Sequence, residues 1–203
     1  MRIMIPLSVI IPSYNEEKNL KRLLRSLSFI EPDEVIVVDG GSQDRTTSIA
    51  LREGAKVILS EKGRGYQLRK GAEASRGELL LFLHGDTFFE ERIDLRRYYF
   101  KGFKAGFFEL CFDYKPGFSL VILERLINLR ASLFSLPYGD QGLFIEREIY
   151  FQLGGFKEMP LLEDLDFVLR LRKLYPPKAL PHKIIVSSRK LISRFPLYPF
   201  FVR

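Results

Sequence analysis

Residues 78–87 read "ELLLFLHGDT". A run of apolar residues, Leu79 to Leu83, is followed at once by His84, Gly85 and Asp86. A continuous apolar run bounded by turn residues is typical of a strand that is covered on both faces, as in a parallel sheet. The polar residues then stand where the strand ends. This stretch therefore predicts a buried central strand with titratable groups at its carboxyl end.

Three earlier segments have the same apolar character and are also bounded by turn residues. They are "LSVIIP" (7–12), "EVIVVDGG" (34–41) and "AKVILS" (55–60). Each is long enough for a strand and too short for an independent helix. The first half of the chain therefore predicts four buried strands.

Helical patterns separate these strands. In residues 16–27, "EEKNLKRLLRSL", leucines recur at i, i+3, i+4 and i+7, which places them on one face. We expect Asn15 to cap this helix, with Glu16 and Glu17 in its first turn. Two weaker patterns, each ended by a glycine, follow: residues 43–54 and 66–77. The alternation predicts an α/β fold with a Rossmann-like, mostly parallel sheet flanked by helices.

The pattern becomes irregular after residue 100. The second half predicts an aromatic strand (102–114), a long amphipathic helix (118–134), a strand (141–146), a short helix (147–155) and a last helix (163–174). We expect a single domain over residues 1–203. About residues 1–100 would form a nucleotide-binding half, and about residues 101–203 would form an irregular half that completes a cleft and ends in a basic tail.

The composition supports a folded protein in a reducing compartment. The 203 residues are 46% hydrophobic, enough to build a sizeable core. The single cysteine, Cys111, allows no intramolecular disulfide. The longest apolar stretch, residues 117–136, carries Glu124, Arg125 and Arg130, which favours an amphipathic helix over a membrane span. These features predict a cytoplasmic protein.

The charge is unevenly distributed. The net charge is +7, and no acidic residue follows Asp166. A basic end suggests phosphates, an anionic membrane surface or nucleic acid, although most such residues lie on solvated faces. Zinc-ligand spacing, an RNP-like motif and a helix-turn-helix pattern are all missing from the sequence, so we expect no nucleic-acid partner.

Polar residues follow three of the predicted strands. They are Pro12, Ser13, Tyr14, Asn15 and Glu16 after the first, Asp39, Gly40, Gly41 and Ser42 after the second, and His84, Gly85 and Asp86 after the fourth. In open α/β sheets, ligands bind beyond the carboxyl ends of the strands. Because these endings should share one edge, a ligand explains their recurrence better than chance.

The residue types at this edge suit a nucleotide. The Tyr14 ring could stack on a base, and Asp39 could accept a hydrogen bond from a nucleobase N–H or a ribose hydroxyl. In "GRGYQ", residues 63–67, Arg64 could pair with a diphosphate at the start of a helix. Leu68 occupies the place of the third glycine of the dinucleotide fingerprint, so a dehydrogenase is disfavoured.

Asp86 suits a divalent cation. Mg²⁺ and Mn²⁺ bind oxygen ligands, commonly one or two carboxylates together with substrate phosphates. His84 could be a second metal ligand, a donor to phosphate or a structural residue, and the sequence leaves these alternatives open.

Four segments together resemble a known family. "SVIIPSYNEEKNLKRLL", "EVIVVDGGSQDRT", "GRGYQLRKGAEASRGELLLFLHGDT" and "LLEDLDFVLRLRK" are similar to the inverting glycosyltransferases of family 2, which have the GT-A fold. "YGDQGLFIEREIYFQLGGF" further resembles a short, soluble bacterial subgroup, the rSAM-associated or arsenosugar-type glycosyltransferases. The resemblance implies a nucleoside-diphosphate sugar donor, with a UDP-sugar expected, and Mn²⁺ or Mg²⁺.

The resemblance also assigns roles to residues. The positions that match the family's nucleoside-binding residues are Pro12, Tyr14, Glu16 and Asp39, and those that cover the uridine and diphosphate are Arg64 and Gln67. Asp86 matches the last carboxylate of the metal-binding Asp-X-Asp motif, and Asp164 matches the general base. His84 replaces the first aspartate of that motif. The Gln-X-X-Arg-Trp signature of processive synthases is absent, which implies non-processive transfer.

Several residues of the second half keep two interpretations. Asp164 could instead favour the first turn of the last helix. Asp140 and Gln141 could bind acceptor or donor-sugar hydroxyls, or form an ordinary turn. Arg189 could close over the diphosphate or lie in solvent.

The sequence predicts metal-assisted transfer of a sugar to an acceptor hydroxyl with inversion. The alternative is a nucleotide-sugar binding module without transfer activity. The acceptor is open: a small molecule, a glycan or a lipid-linked molecule. The aromatic and basic tail, residues 193–203, could contact the inner membrane face, pack on the domain or contact a second subunit of a homodimer.

Overall fold

The structure, a computed structural model, describes residues 5–113, 118–159 and 161–188. Eight strands form one mixed sheet with the order β3-β2-β1-β4-β7-β6-β8-β5. In chain order the strands are β1 (Leu7–Ser13), β2 (Glu34–Asp39), β3 (Lys56–Leu59), β4 (Leu79–Phe82), β5 (Thr87–Phe88), β6 (Ala105–Phe112), β7 (Leu143–Glu146) and β8 (Lys178–Val186).

Seven α-helices flank the sheet within the described residues. They are α1 (Leu20–Ser26), α2 (Thr46–Arg52), α3 (Arg64–Ala74), α4 (Leu95–Phe100), α5 (Phe118–Phe134), α6 (Arg147–Gln152) and α7 (Glu163–Leu174). The predicted α/β class with a mostly parallel sheet and flanking helices is confirmed. No helix in the described ranges combines the length and the apolar character needed to cross a bilayer.

The first four strands form a parallel block. β1 lies between β2 and β4, and β3 extends the block beyond β2. Ser13 pairs with Asp39, and Ile10 pairs with Phe82. The carboxyl ends of β1, β2 and β4 therefore meet at one edge of the sheet, as the sequence predicts.

The core lies on both faces of this block. In β4, Leu79 and Leu81 point into the cluster formed with α1, α2 and α4, whereas Leu80 and Phe82 point into the cluster formed with α3, α6 and α7. All four residues are buried. A strand with no solvent-facing side must be apolar throughout, which explains the continuous apolar runs in the sequence.

The second half adds strands in both directions. β7 is antiparallel to β4 and to β6, while β8 is parallel to β6. The predicted helices over 118–134 and 163–174 are confirmed. Sequence reasoning did not predict β8, which contains Pro181. The pairing of β8 with β6 shifts register near this proline, between Phe107 and Glu109 of β6. A proline without an N–H breaks the strand signal and is tolerated at such a bulge.

The close packing of α3 on the sheet generates a prediction about stability. A Cβ atom at Gly71 would lie 2.5 Å from Ile10 Cγ2 and 3.0 Å from Val38 Cγ2. Gly71→Val should therefore lower the free energy of unfolding by about 1–3 kcal/mol through overpacking, measured by urea denaturation. Glu73→Val on the exposed side of α3 is the control and should cost less than about 1 kcal/mol. Equal losses would show that α3 does not pack this closely.

Candidate functional site

A cleft of about 1110 Å³ opens at the carboxyl edge of the sheet, beside the ends of β1 and β4 and the start of α3. Its volume lies slightly above the range of about 300–1,000 Å³ that is common for small-molecule sites. The lining residues are Pro12, Ser13, Tyr14, Glu16, Glu61, Lys62, Gly63, Arg64, Tyr66, Gln67, His84, Gly85, Asp86, Glu158, Met159, Leu161 and Glu163. Seven residues assigned from the sequence therefore share one space: Pro12, Tyr14, Glu16, Arg64, Gln67, His84 and Asp86.

The loop after β1 is held by the loop after β2. Asn15 accepts a hydrogen bond from the Gln43 backbone N–H at 2.9 Å, and its own N–H donates to Ser42 Oγ at 2.8 Å. The predicted N-cap role of Asn15 is wrong, because α1 begins only at Leu20 and Asn15 has a left-handed φ of 53°. An asparagine tolerates this conformation and braces the loop that carries Tyr14.

Asp39 does not line the cleft. Its side chain is 1% exposed and accepts hydrogen bonds from Gly41 N, Ser42 N and Ser42 Oγ at 3.1, 2.8 and 2.5 Å. Sequence reasoning placed this carboxylate against a nucleobase or ribose. The structure instead places it in the turn after β2, because that turn exposes backbone N–H groups that need an acceptor.

Gln67 fixes the helix start to the sheet. Its Nε2 donates to Ser13 O at 2.9 Å and to Val38 O at 2.7 Å. This joins α3 to the ends of β1 and β2 and leaves little of Gln67, 3% exposed, for a ligand. Ser13 Oγ nearby is buried and has no hydrogen-bond partner. An unpaired buried hydroxyl in a cleft wall is a candidate contact for a ligand.

Tyr14 is exposed and already has a cation beside it. Lys62 Nζ lies 4.0 Å from the centroid of the Tyr14 ring, within the range of a cation–π interaction. Sequence reasoning did not assign Lys62, since only the fold brings residue 62 against residue 14.

Arg64 and Glu163 form an ion pair that joins the two halves of the chain. The Glu163 side chain is 1% exposed, whereas that of Arg64 is 42% exposed. The buried carboxylate therefore holds one edge of the guanidinium, and the exposed part faces the cleft. Sequence reasoning assigned no site role to Glu163, and its position beside Asp164 was the only available signal.

His84 lines the cleft and also meets Gly139 and Asp164, which line a small neighbouring cavity and not the cleft itself. Gly139 N donates to Asp164 Oδ2 at 2.7 Å. A Cβ atom at Gly139 would overlap His84 Nε2 and lie 3.0 Å from Asp164 Oδ2, so only glycine fits between these two groups. Burial, followed by the positive charge of Arg64, lowers the pKa of His84. The imidazole is therefore neutral at pH 7.

Asp164 faces a small apolar cavity that it shares with His84, Phe82 and Phe156. Both of its carboxylate oxygens accept backbone hydrogen bonds, Oδ1 from Leu165 N at 2.8 Å and Oδ2 from Gly139 N. The helix-start interpretation of Asp164 therefore has structural support. The same bonds fix the orientation of the carboxylate beside the cleft.

The two predicted metal ligands, Asp86 and His84, are placed differently. Among the described residues, no group of three or more histidine, cysteine, aspartate or glutamate side chains could hold a metal ion. Asp86 lines the cleft, while the Nε2 edge of His84 packs against Gly139. A carboxylate in the cleft wall suits Mg²⁺ or Mn²⁺ that is shared with a bound phosphate. It does not suit a cage built from protein side chains alone.

Asp140 and Arg130 contribute enclosed polar atoms near Asp164. Among the described residues, Asp140 Oδ1 and Arg130 Nε and Nη2 are buried and find no hydrogen-bond partner, and the Arg130 guanidinium lies 3.6 Å from the Tyr138 ring centroid. Burial, together with the negative charges of Asp164 and Asp86, raises the pKa of Asp140 to about 6. Sequence reasoning named Asp140 but not Arg130, which reaches this region from α5.

Gln141 belongs to the framework. It is 0% exposed, donates to Phe108 O and Asn128 Oδ1 at 3.4 Å, and accepts from Tyr138 N at 3.3 Å. The sequence prediction that it binds substrate hydroxyls does not match this placement, because its amide is used inside the protein. Arg189, predicted to close over a diphosphate, lies outside the described residues.

The chain is similar to known proteins in sequence and in fold. Residues 8–99 match the sequence profile of Glycosyl transferase family 2. An uncharacterized glycosyltransferase of Haemophilus influenzae is 30% identical over 200 residues, which cover 88% of this chain and 65% of that protein. The profile match places residues 8–99 of this chain in glycosyltransferase family 2.

Other family 2 relatives match a shorter part. The mouse dolichyl-phosphate beta-glucosyltransferase is 36% identical over 99 residues, 39% of this chain. The chain spans 31% of the length of that relative. In three dimensions, the Pyrobaculum calidifontis mannosyltransferase PcManGT, solved with GDP-Man and Mn²⁺, has a TM-score of 0.65 at 20% identity. That match covers 88% of this chain and 56% of the other, and it shows the shared GT-A fold.

The raised pKa of Asp140 predicts how the stability of the fold changes with pH. Its folded pKa of about 6 lies above its ordinary value of 3.8, so its ionisation destabilises the fold progressively as the pH rises through 6. Asp140→Asn should therefore stabilise the protein without nucleotide or metal by roughly 1–3 kcal/mol at pH 7.5, and by almost nothing below pH about 4. Urea denaturation across this pH range measures the difference.

Asp166→Asn is the control with the opposite sign. Partial burial tends to raise the pKa of Asp166, but hydrogen bonds from Arg170 and Lys157 hold that pKa below its ordinary value. Its replacement should cost stability at neutral pH. A pH-independent effect of Asp140→Asn would contradict the enclosed, high-pKa carboxylate.

Proposed function

We propose that this protein transfers a sugar from a nucleoside-diphosphate sugar, with a UDP-sugar expected, to an acceptor hydroxyl with inversion. One observation carries the proposal. The cleft of a family 2 chain brings an exposed ring, Tyr14, a guanidinium, Arg64, and a carboxylate, Asp86, to the carboxyl edge of the sheet. These are the groups that a base, a diphosphate and a phosphate-bound cation require.

The donor would lie across the ends of β1 and β4. Its base would stack on Tyr14, with Lys62 at the ring and the free Ser13 hydroxyl available for a hydrogen bond. Its diphosphate would meet Arg64 and the first backbone N–H groups of α3, where the helix dipole favours anions. The Glu163 carboxylate keeps Arg64 oriented for this contact.

A divalent cation fits one position in this arrangement. Asp86 would hold Mg²⁺ or Mn²⁺ together with the donor phosphates. When bound, the cation would neutralise negative charge on the leaving diphosphate. The support is the placement of Asp86 in the cleft, the family membership and the Mn²⁺ that accompanies GDP-Man in PcManGT. We propose no ligand role for His84, because its Nε2 edge packs on Gly139.

The chemical step needs one base. The acceptor oxygen would form a bond to the anomeric carbon while the bond from that carbon to the diphosphate oxygen breaks. The hydroxyl proton would pass to Asp164, which a hydrogen bond from Gly139 N orients. Asp140 and Arg130, with their unpaired buried atoms beside this point, would contact the acceptor. Attack from the face opposite the leaving group inverts the anomeric centre.

The alternative, a nucleotide-sugar binding module, is favoured by one observation. Asp164 Oδ1 accepts from Leu165 N at the start of α7, and Oδ2 accepts from Gly139 N in the neighbouring turn, so both oxygens already serve structural contacts. Such a module would bind the donor without releasing nucleoside diphosphate, so catalytic turnover separates the two functions.

Four further predictions concern processivity, location, oligomeric state and the organisation of the chain. We propose non-processive transfer, since the Gln-X-X-Arg-Trp signature is missing from the sequence. A cytoplasmic location and a homodimer remain predictions from the sequence. The organisation into a nucleotide-binding half and an acceptor half is also a proposal, supported by the Arg64–Glu163 ion pair that joins them at the cleft.

Replacement of the proposed base tests the mechanism. Asp164→Asn keeps an oxygen acceptor for Gly139 N but cannot take a proton. It should lower the rate of nucleoside-diphosphate release from the donor about 10²- to 10⁴-fold. Donor affinity, measured by calorimetry, should change little. Asp166→Asn, two residues along α7 and paired with Arg170 away from the cleft, is the control. An Asp164→Asn variant with wild-type turnover would remove Asp164 from the reaction.

The cation is tested by thermal shift. UDP-sugars and GDP-sugars are added with and without Mn²⁺, and bound ligand should raise the Tm by mass action. Asp86→Asn should lose the Mn²⁺-dependent part of the shift, whereas His84→Asn should retain it. A loss confined to His84→Asn would reverse the ligand assignment. A shift independent of Mn²⁺ and chelator would show that donor binding needs no cation.

A further inference from the structure

The long helix α5 directs two polar side chains, Asn128 and Glu124, toward β6. Asn128 Oδ1 accepts from Leu110 N at 2.8 Å, and Asn128 Nδ2 donates to Leu110 O at 2.9 Å. Glu124 Oε2 accepts from Phe112 N at 3.0 Å. These bonds have a clear cause. β6 pairs with β7 only over residues Ala105, Gly106 and Phe107. The backbone groups of later β6 residues that point away from β8 therefore need other hydrogen-bond partners.

The outward face of the same helix is apolar. Its residues recur at i, i+4, i+7 and i+11, which is one continuous stripe. We call this the α5 stripe; with their exposed fractions, its members are Ile122 (43%), Leu126 (57%), Leu129 (54%) and Leu133 (67%). Phe134, 60% exposed, continues it at the helix end. Exposed leucines such as Leu51 and Leu59 occur elsewhere, but they belong to different elements and form no such row. A contiguous apolar row signals an interaction surface.

Positive charge borders the α5 stripe. Arg125 is exposed on α5, and Arg172 of α7 donates to Phe134 O at 3.2 Å at the end of the stripe. Lys173 follows as an exposed residue. Glu124, the only acidic residue of α5, is directed toward β6. Leucines flanked by arginine and lysine match an anionic lipid surface, in which the apolar side chains enter the headgroup boundary and the cations meet lipid phosphates.

We propose that the α5 stripe docks this protein on an anionic lipid bilayer, with α5 parallel to the membrane plane. This surface is separate from the nucleotide cleft and would act whether or not the donor binds. A second copy of the chain is the less favoured occupant. A helix of 17 residues is about 25 Å long, and one such stripe offers less than the roughly 800 Å² per partner of a standard interface.

The position of the stripe connects it to the proposed function. The chain runs from Phe134 directly to the turn at Gly139–Gln141, and Gly139 N donates to Asp164. A docked α5 would therefore bring the acceptor side of the cleft to the bilayer. This consequence rests on the proposed function. It implies that the acceptor is a molecule carried in the membrane.

Vesicle flotation of the full chain tests the docking surface. The probes are vesicles of phosphatidylcholine alone and vesicles with about one third phosphatidylglycerol. Wild type should float with the anionic vesicles and much less with the neutral ones, and 1 M NaCl should reduce the bound fraction. The double variant Leu126→Glu, Leu129→Glu should lower the partition coefficient at least tenfold.

A matched control variant makes the same two leucine-to-glutamate changes, and therefore the same change in net charge, at other positions. Leu51→Glu, Leu59→Glu places the same two changes at leucines that are 59% and 68% exposed outside the α5 stripe. It should bind vesicles as wild type does. Circular dichroism and the donor-induced thermal shift should be unchanged in both double variants, since neither touches the cleft.

The outcomes separate the two hypotheses. Vesicle binding that survives in the stripe variant, or that both double variants lose equally, overturns the proposal. A wild-type dimer in light scattering, split by the stripe variant and without vesicle affinity, also overturns it and assigns the stripe to a second copy. Stripe-dependent vesicle binding in a protein that binds no nucleotide sugar keeps the docking surface and removes the proposed function.

Discussion

The architecture depends on β4 being covered on both faces. A strand without a solvent side can place polar groups only at its ends, since burying a charge mid-strand would cost several kcal/mol without a partner. His84 and Asp86 therefore emerge at the carboxyl edge, where β1 and β2 also end. The cleft forms there because the strands stop at different depths while α3 begins beside them. Its chemistry follows from the few polar residues that this edge can hold.

The second half of the chain completes the site through two contacts. Glu163 pairs with Arg64, and Gly139 lies between His84 and Asp164 while donating to the latter. Both contacts join residues that are distant in sequence. Each leaves a charged group oriented but incompletely satisfied, which is how a site can be organised before its ligand arrives. The raised pKa of Asp140 has the same origin, because carboxylates crowd an enclosed space.

The unpaired side of β6 has consequences on the outside of the molecule. Once β7 ends, backbone groups of β6 need partners, and Asn128 and Glu124 supply them. The inward face of α5 therefore carries Asn128 and Glu124 together with the buried apolar residues Leu120 and Ala131, and a second apolar row is left on the exterior. The helical pattern of residues 118–134 predicts an amphipathic helix correctly. It does not tell which apolar row packs on the sheet, because that depends on the unpaired side of β6.

The sequence alone determined the α/β class, the buried parallel strands and the edge at which the polar residues collect, because hydrophobic periodicity and turn residues are local signals. It also brought out Tyr14, Arg64 and Asp86, which line the cleft together. Only the tertiary structure decided which candidates face that space. Asp39 is used by the turn that follows it and Gln141 by groups packed around it, while Glu163 and Lys62 reach the cleft through long-range contacts. A side chain's partner depends on packing between distant elements, and that information is absent from any single stretch of chain.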